Sequence, residues 1–186
     1  TDSKVLDTFL NICKVSKEYK YGLEVYDKLV SKNLIVIDES LETTYFSLLI
    51  GCKQFDKAIN QFYLIKRPSR LAINVMLQGC RMEQKLDESM KIFSLFEQTP
   101  NLIPNIHSCE HAILTQIDTS LIKENGQLEK RIENLKSILK VIMKKEPKLF
   151  SFFSHASLLT KLELFCNNSG DLKLVELVTK IKSQNE

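Results

Sequence analysis

The side chains of this chain that could do chemistry are those of its cysteines and histidines. Its 186 residues include five Cys, an odd number, and no two of them form a Cys-x-x-Cys pair. His107 and His111 are four residues apart and would share one helix face, as zinc ligands can, but Cys109 would point away from that face. Because no third ligand is near in sequence, we predict no metal site and no cofactor.

No catalytic motif accompanies these residues. The sequence lacks a Gly-rich phosphate loop, a nucleophile elbow and a cluster of Asp residues of the kind that holds catalytic metals. We therefore predict that the chain is not an enzyme and has no small-molecule substrate. The scattered cysteines favour free thiols in a reducing compartment. No apolar run approaches the roughly 18 residues needed to span a bilayer.

Three of the cysteines mark a repeating pattern. Cys13, Cys52 and Cys80 each end an apolar run with helical spacing, and each precedes a basic residue: Lys14, Lys53 and Arg81. The cysteines are 39 and 28 residues apart, which on average is close to the length of a helical-hairpin repeat. A small residue follows in each unit, where two helix backbones could approach closely: Gly22, Ala58 and Ser89. The pattern predicts that the three cysteines are buried at equivalent positions of successive hairpins.

The stretch from Arg70 to Asn105 is the best-formed of these hairpins. Its first helix, the A helix, ends near Cys80, and its second, the B helix, ends near Gln98, before two prolines that prevent its continuation. With 44% hydrophobic residues and few Gly or Pro, the composition favours an all-α fold. We predict a single domain over residues 1–186, with repeats at about 4–40, 41–70, 71–105, 106–146 and 149–186. The predicted helices of the other repeats include Phe55 to Lys66, Leu128 to Lys145 and Leu149 to Phe165.

The hairpins resemble pentatricopeptide repeats. That family's consensus has a Tyr-Asn-x-Leu-Ile type A helix with Cys-Lys near its end, an Ala-Leu-x-Leu-Phe type B helix and a Pro-Asp exit. The matching segments here are Ile73 to Arg81, Ser89 to Phe93, Pro104-Asn105 and Tyr45 to Lys53. The resemblance covers residues 4–117. Together with the hairpin pattern it indicates an all-α, right-handed α-solenoid of about five helix-turn-helix repeats, similar to pentatricopeptide and tetratricopeptide arrays.

The resemblance implies binding of single-stranded RNA, with one base read per repeat by a few side chains. The family's specificity residue early in the A helix falls on Thr8, Ser47, Val75 and Glu110, and a second one falls on or near Asp38, Arg70 and Asn105. Thr8 and Ser47 suit hydrogen bonding to a base edge, whereas Val75 can only pack on a base. Lys14, Lys53 and Arg81 could contact backbone phosphate, or they could be solvated cations that complement helix dipoles.

By the same resemblance, the expected role is in organelle RNA processing, stability or translation. The expected location is mitochondrial, with a cytoplasmic location as the alternative. A protein-interaction scaffold of the tetratricopeptide type stays open as a second function, since the formal net charge of +3 is nearly balanced. A third is the non-catalytic repeat region of a larger RNA-processing enzyme. Clustering of the three cations with Thr8 and Ser47 on a concave face would favour RNA over a protein partner.

Overall fold

The computed structural model describes residues 3–118, 127–153 and 158–183. Within these ranges the chain forms 11 α-helices, one short 3-10 turn and no β-strand. The helices are α1 (Ser3–Val15), α2 (Tyr19–Ser31), α3 (Glu39–Gly51), α4 (Phe55–Phe62), α5 (Arg70–Met82), α6 (Leu86–Gln98), α7 (Ile106–Ile117), α8 (Leu128–Lys145), α9 (Phe150–Phe153), α10 (Leu158–Ser169) and α11 (Leu172–Ser183). The predicted fold class, an all-α array of helix-turn-helix repeats, is confirmed. No described helix is long and apolar enough to cross a membrane.

The chain divides into two compact units, of which the first is Thr1–Gly79. In this unit α1 packs against α2 and α3, and α3 packs against α2 and α4. Its core is made of buried side chains that include Leu10, Leu41, Phe46, Leu48, Leu49 and Phe62. Each fully buried Leu or Phe contributes about 1.5 to 3 kcal/mol relative to an exposed one. Packing between hairpins therefore holds the unit together.

The second unit is Cys80–Glu186. Here α7 packs against α6, α8 and α10, and α11 packs against α8 and α10. Its buried side chains include Phe93, Phe96, Leu135, Ile138, Phe153 and Leu162. At the end of α6, Lys145 Nζ donates to the carbonyl oxygens of Thr99 at 3.0 Å and Pro100 at 3.1 Å. A cation from α8 is thus bonded to the backbone just beyond the C-terminal end of α6, where positive charge complements the helix dipole.

The turns that join the A helix to the B helix in the first three hairpins share one geometry. Lys17, Lys53 and Gln84 adopt a left-handed backbone conformation, with φ of 62°, 59° and 55°. The next N–H along the chain donates to a carbonyl five residues earlier, at 2.8 Å in each turn: Glu18 to Cys13, Gln54 to Leu49 and Lys85 to Cys80. This hydrogen bond is typical of Schellman helix ends. The turn residue is therefore a common reference point for the three hairpins.

The cysteine register predicted for the second hairpin is wrong by three residues. Cys13 and Cys80 each lie four residues before their turn residue, and the residue four before Lys53 is Leu49. Cys52 is instead the residue that follows α3, and it is half-buried. Cys13 and Cys80 are buried, as predicted.

The predicted small residues are correctly placed. Gly22, Ala58 and Ser89 all lie five residues beyond the turn residue, and all three are buried. A Cβ added to Gly22 would lie 3.1 Å from Cδ2 of Leu48, so the helices approach closely there. The same Cβ would lie 3.2 Å from Cβ of Cys13, so the small residue lets α1 and α2 pack at short distance in the first hairpin.

Two helix boundaries differ from the sequence expectation. We expected the second B helix to continue to Lys66, but α4 ends at Phe62. We expected one helix from Leu149 to Phe165, but a 3-10 turn spans Pro147–Leu149, α9 is short, and α10 begins at Leu158. Residues 154–157 of that prediction lie outside the described ranges. The single-domain assignment of residues 1–186 stays a prediction.

Candidate nucleic-acid interface

The first turn of three A helices is capped by the side chain just before it. Asp38 Oδ1 accepts a hydrogen bond from the N–H of Leu41 at 2.9 Å, and Ser69 Oγ accepts one from the N–H of Ala72 at 3.1 Å. Asn105 Oδ1 accepts one from the N–H of Ser108 at 3.0 Å and forms a capping box with that residue. These N-caps satisfy amide groups that would otherwise lack partners. They are a second reference point, at the opposite end of the A helix from the turn.

The predicted base-reading residue of the second hairpin does not match the first and third. Thr8 and Val75 each precede their turn residue by nine positions, whereas the residue nine before Lys53 is Thr44. Ser47 therefore lies nearly one helical turn too far along α3. Thr44 is only 4% exposed, and its hydroxyl is bonded inside the first unit.

In the fourth hairpin, the predicted base-reading residue is displaced from the equivalent position by only one residue. Thr44 and Val75 each follow their N-cap by six residues, and the sixth residue after Asn105 is His111. Glu110, expected at this position, lies one residue earlier. Equivalent positions on the A helices are thus Thr8, Thr44, Val75 and His111. The N-caps, which can be recognised in the sequence as Asp, Ser and Asn before each A helix, were the signal that could have found them.

The three predicted base contacts differ in how accessible they are. Thr8 is exposed, and its hydroxyl donates to the carbonyl of Lys4 at 2.9 Å. Ser47 is half-buried, and its hydroxyl donates to the carbonyl of Thr43 at 3.2 Å. Val75 is half-buried as well. Each hydroxyl donates its proton inside its own helix, so each can only accept a further hydrogen bond.

The second set of predicted base contacts lies at the N-caps. Asp38 and Asn105 are caps themselves: one carboxylate oxygen of Asp38 and the amide oxygen of Asn105 accept hydrogen bonds from the helix that follows. Arg70 is the exposed first residue of α5, one position after the Ser69 cap. The structural role of Asn105 is therefore clear, and its contact with RNA stays a prediction.

The three predicted cations belong to two structural rows. Lys14 and Arg81 each lie three residues before a turn residue, in the last turn of an A helix. Lys53 is itself a turn residue, equivalent to Lys17, and the equivalent of Lys14 in the second hairpin is the buried Ile50. Among the described residues, Lys14, Lys53 and Arg81 form no ion pair with an acidic side chain. All three charges are available to a ligand.

In the first unit, the α1–α2 turn lies beside the end of α3. The ring of Tyr19 covers Gly51, where an added Cβ would lie 2.7 Å from Cε1 of the ring. Lys20 is close enough to Cys52 to lower the pKa of its thiol, although burial raises that pKa by more. Lys17, Lys20 and Lys53 are all exposed, and we call these three residues the turn surface. The exposed acid Glu18 lies among them in sequence, so this surface is only moderately basic.

The cysteines are poor candidates for chemistry. All five are free, and Cys13, Cys80, Cys109 and Cys166 are buried. Burial raises the pKa of Cys80 to about 12 and that of Cys166 to about 11. Because the thiolate is the reactive form, these side chains act as small hydrophobic groups. In the part of the chain that the structure describes, no group of three or more His, Cys, Asp or Glu residues could hold a metal ion.

His111 is a partly buried titratable group on α7. It is half-buried, and its Nδ1 atom has no hydrogen-bond partner. Burial lowers its pKa below 6.5, and Arg81 and His107 lower it further against the opposing effect of Glu110. As the pH falls below 6.5, the unfolded chain takes up a proton before the folded chain does. The stability that neutral His111 contributes is therefore complete above pH 6.5 and is lost as the pH falls through the folded pKa.

We expect His111→Gln to reduce the pH dependence of stability. The wild-type chain should lose more unfolding free energy between about pH 7.5 and 5.5 than the variant, because only the wild type contains the buried imidazole. Urea unfolding at both pH values measures the difference. His107→Gln is the comparison variant: His107 is exposed on the same helix and adds only a smaller part of the lowering of the His111 pKa, so its replacement should reduce the pH dependence less than His111→Gln does. Equal pH dependence in the wild type and His111→Gln would contradict the prediction.

No protein-family model matches the chain, and no curated protein matches its sequence. Among solved structures, a match is the crystal structure of nuclear proteinaceous RNase P 2 (PRORP2) from A. thaliana. The superposition has a TM-score of 0.67 at 14% sequence identity and includes 97% of this chain. The chain spans 38% of the length of that protein chain. At this identity the likeness shows the fold alone, which is an array of helical repeats similar to the pentatricopeptide type.

Proposed function

We propose that this chain binds single-stranded RNA on the surface of its A helices and serves RNA processing as a non-catalytic repeat region. The observation that carries the proposal is the side-by-side packing of successive A helices. In the first unit α1 packs on α3, and the carboxylate of Asp7 accepts hydrogen bonds from Ser40 at 2.8 Å and Thr44 at 2.7 Å. In the second unit α7 packs on α10. Side-by-side A helices of this kind can present side chains of successive repeats to an extended strand.

The chemistry of the available side chains supports this function. Thr8 and Ser47 can each accept a hydrogen bond from the amino group of a base, and the methyl groups of Val75 can pack on a base. Lys14, Lys53 and Arg81, which pair with no acid in the described ranges, carry charges that phosphate would attract. Lys17 and Lys20 add to the charge of Lys53 on the turn surface.

The structural comparison gives further support. The similar solved structure is that of a proteinaceous RNase P, and this chain spans 38% of that protein's length. Because the chain spans only part of that protein's length, we propose RNA binding for it and propose no catalytic activity for these residues. A mitochondrial location is proposed from the sequence resemblance alone.

The experiment that tests the function is binding to a pool of short single-stranded RNAs at two salt concentrations. Between about 50 and 200 mM salt, the logarithm of the association constant plotted against the logarithm of the salt concentration should have a slope of about −0.7 for each phosphate contact. Lys14→Ala with Arg81→Ala removes the row at the ends of the A helices, and Lys17→Ala with Lys53→Ala removes the turn row. Lys28→Ala with Lys66→Ala is the matched control, because both lysines are exposed and lie outside these rows.

The proposal is supported if one of the first two double variants binds RNA more weakly and with a shallower salt dependence, while the control double variant binds as the wild type does. The variant that shows the loss identifies the row that contacts phosphate. An equal loss in all three pairs would indicate non-specific attraction and would contradict it. Absence of binding at low salt, with circular dichroism showing a folded helical chain, would rule out RNA binding by this chain.

A protein-interaction scaffold is the second candidate function, and α1 favours it. Val5, Ile12 and Val15 are exposed apolar residues on the same face of α1 as Thr8. Their spacing of seven and three residues is that of one helix stripe. A protein helix would cover such a stripe more favourably than RNA would. If RNA does not bind, this face of α1 is where partner contacts should be sought.

A further inference from the structure

A cavity of about 290 Å³ opens within the second unit. Its walls come from the C-terminal end of α7, from α10 and from Arg81. Leu114, Ile117 and Phe165 contribute buried apolar surface, and Leu164 is 59% exposed. Arg81, Lys161, Asp118 and Asn168 contribute the polar groups. The cavity therefore combines an apolar wall with two cations, one carboxylate and one amide.

The α7 side of the cavity is held in place by a buried arginine. The guanidinium of Arg131, on α8, donates to the carbonyl oxygens of Gln116 and Asp118, at 3.2 Å each. The amide of Asn134 donates to the side-chain oxygen of Gln116 at 3.0 Å. The two bonds from Arg131 satisfy backbone carbonyl groups at the end of α7 and fix the backbone that carries Ile117 and Asp118. The cavity is thus bounded by a preorganised helix end.

The charges lining the cavity are not neutralised by the rest of the described chain. Arg81, Lys161 and Asp118 take part in no ion pair among the residues that the structure describes. Two cations beside an apolar wall favour a ligand that joins an anionic group to an apolar body. Asp118 accepts hydrogen bonds only, so it can in addition bind N–H or O–H donors of the same ligand. A fatty acid lacks such donors, whereas a nucleotide has all three features.

The size of the cavity limits the ligand further. Sites for small molecules usually have volumes of about 300 to 1,000 Å³, and this one lies at the lower end of that range. One nucleotide is of suitable size, and a dinucleotide cofactor is too large. The position is also consistent with a strand on the A helices, since α7 and α10 are both A helices.

We propose that this cavity binds a single nucleotide. Its base packs on the apolar wall at Leu164 and Phe165, its phosphate interacts with Arg81 and Lys161, and its donor groups bond to Asp118 and Asn168. The inference rests on the proposed function where the nucleotide is an unstacked residue of bound RNA. A free nucleoside monophosphate presents the same chemistry, and the experiment distinguishes the two sources.

The first arm of the test uses free ligands. AMP, GMP, CMP and UMP are titrated separately into the chain with labelled leucine methyl groups, and inorganic phosphate is titrated as the comparison. The methyl signals of Leu114 and Leu164 should shift with a nucleotide and much less with phosphate alone. The second arm uses a short RNA with one 4-thiouridine, crosslinked by light and mapped by mass spectrometry.

Two variants and two matched controls make the test specific. Lys161→Met removes one cation and should weaken nucleotide binding about tenfold, as expected for loss of a charge-assisted hydrogen bond. Leu164→Glu replaces the apolar surface on which the base packs with a carboxylate and should weaken nucleotide binding further. Lys173→Met and Leu172→Glu make the same changes at exposed positions of α11, outside the lining of the cavity. The controls should bind as the wild type does.

The outcomes separate this inference from the RNA-binding proposal. Methyl shifts with free nucleotides that only the cavity variants weaken would support a free-nucleotide site, even if RNA does not bind. Crosslinks at Leu164 or Phe165 that Leu164→Glu abolishes would support an RNA site. RNA binding with crosslinks elsewhere, and no methyl shifts with nucleotides, would overturn the cavity proposal and leave RNA binding in place. An equal loss of nucleotide affinity in the cavity variants and in the α11 control variants would also overturn the cavity proposal.

Discussion

Leu49→Ala is expected to lower the free energy of unfolding by about 2 to 5 kcal/mol. Leu49 is 0% exposed and lies at the position that Cys13 and Cys80 occupy in their hairpins. Removing three carbon atoms there loses the transfer free energy of the side chain and leaves a cavity between hairpins. Urea unfolding monitored by circular dichroism, which follows helix content, measures the change.

Cys52→Ala is the matched comparison for Leu49→Ala. Cys52 is half-buried and lies just past the end of α3. Its replacement should therefore lower the free energy of unfolding by less than about 1 kcal/mol. The contrast tests the register of the second hairpin directly. A cost at Cys52 as large as that at Leu49 would mean that the cysteine, and not the leucine, occupies the core position.

Gly51→Ala is expected to destabilise the first unit by about 1 to 3 kcal/mol. A methyl group at this position would overlap the ring of Tyr19, with Cγ at 2.5 Å and Cε1 at 2.7 Å. Alanine is otherwise favoured over glycine in a helix by about 1 kcal/mol. The loss must therefore come from the contact between the α1–α2 turn and the end of α3.

The double variant isolates that contact. Against a Tyr19→Ala background the ring is gone, so Gly51→Ala should be neutral or stabilising. A coupling energy of about 1 to 3 kcal/mol between the two sites is expected from the four unfolding free energies. Gly170→Ala is a second reference, because Gly170 has φ of +68° and no atom within 4 Å of an added Cβ. Any loss of unfolding free energy in Gly170→Ala therefore arises from the backbone conformation alone. If Gly51→Ala destabilises equally with and without Tyr19, the predicted contact is not the cause.

The helices themselves could be predicted from local sequence. The spacing of apolar residues and the position of Pro100 and Pro104 indicated the hairpin that the structure shows as α5 and α6, and α6 ends at the expected Gln98. The predicted span Leu128 to Lys145 is that of α8. These signals are local, because helical periodicity and the missing N–H of proline act within a few residues.

The register of the second hairpin could not be predicted from its cysteine. Cys52-Lys53 matches the dipeptides at Cys13 and Cys80 in composition, but the chain turns at Lys53 itself. Where a helix ends depends on which residue adopts the left-handed conformation, and lysine has no strong local preference for it. The same error of three residues placed Ser47 in the row of Thr8 and put Lys53 with Lys14.

The sequence by itself determined the all-α fold, the hairpin repeat and the small residues that allow close helix packing. These features follow from periodicity, composition and side-chain size, which need no knowledge of distant contacts. Only the tertiary structure decided which side chains are equivalent, which cations pair with acids, and where a cavity opens beside Arg81 and Lys161. Those properties depend on how helices far apart in sequence pack against one another, since burial and charge pairing are set by neighbours in space.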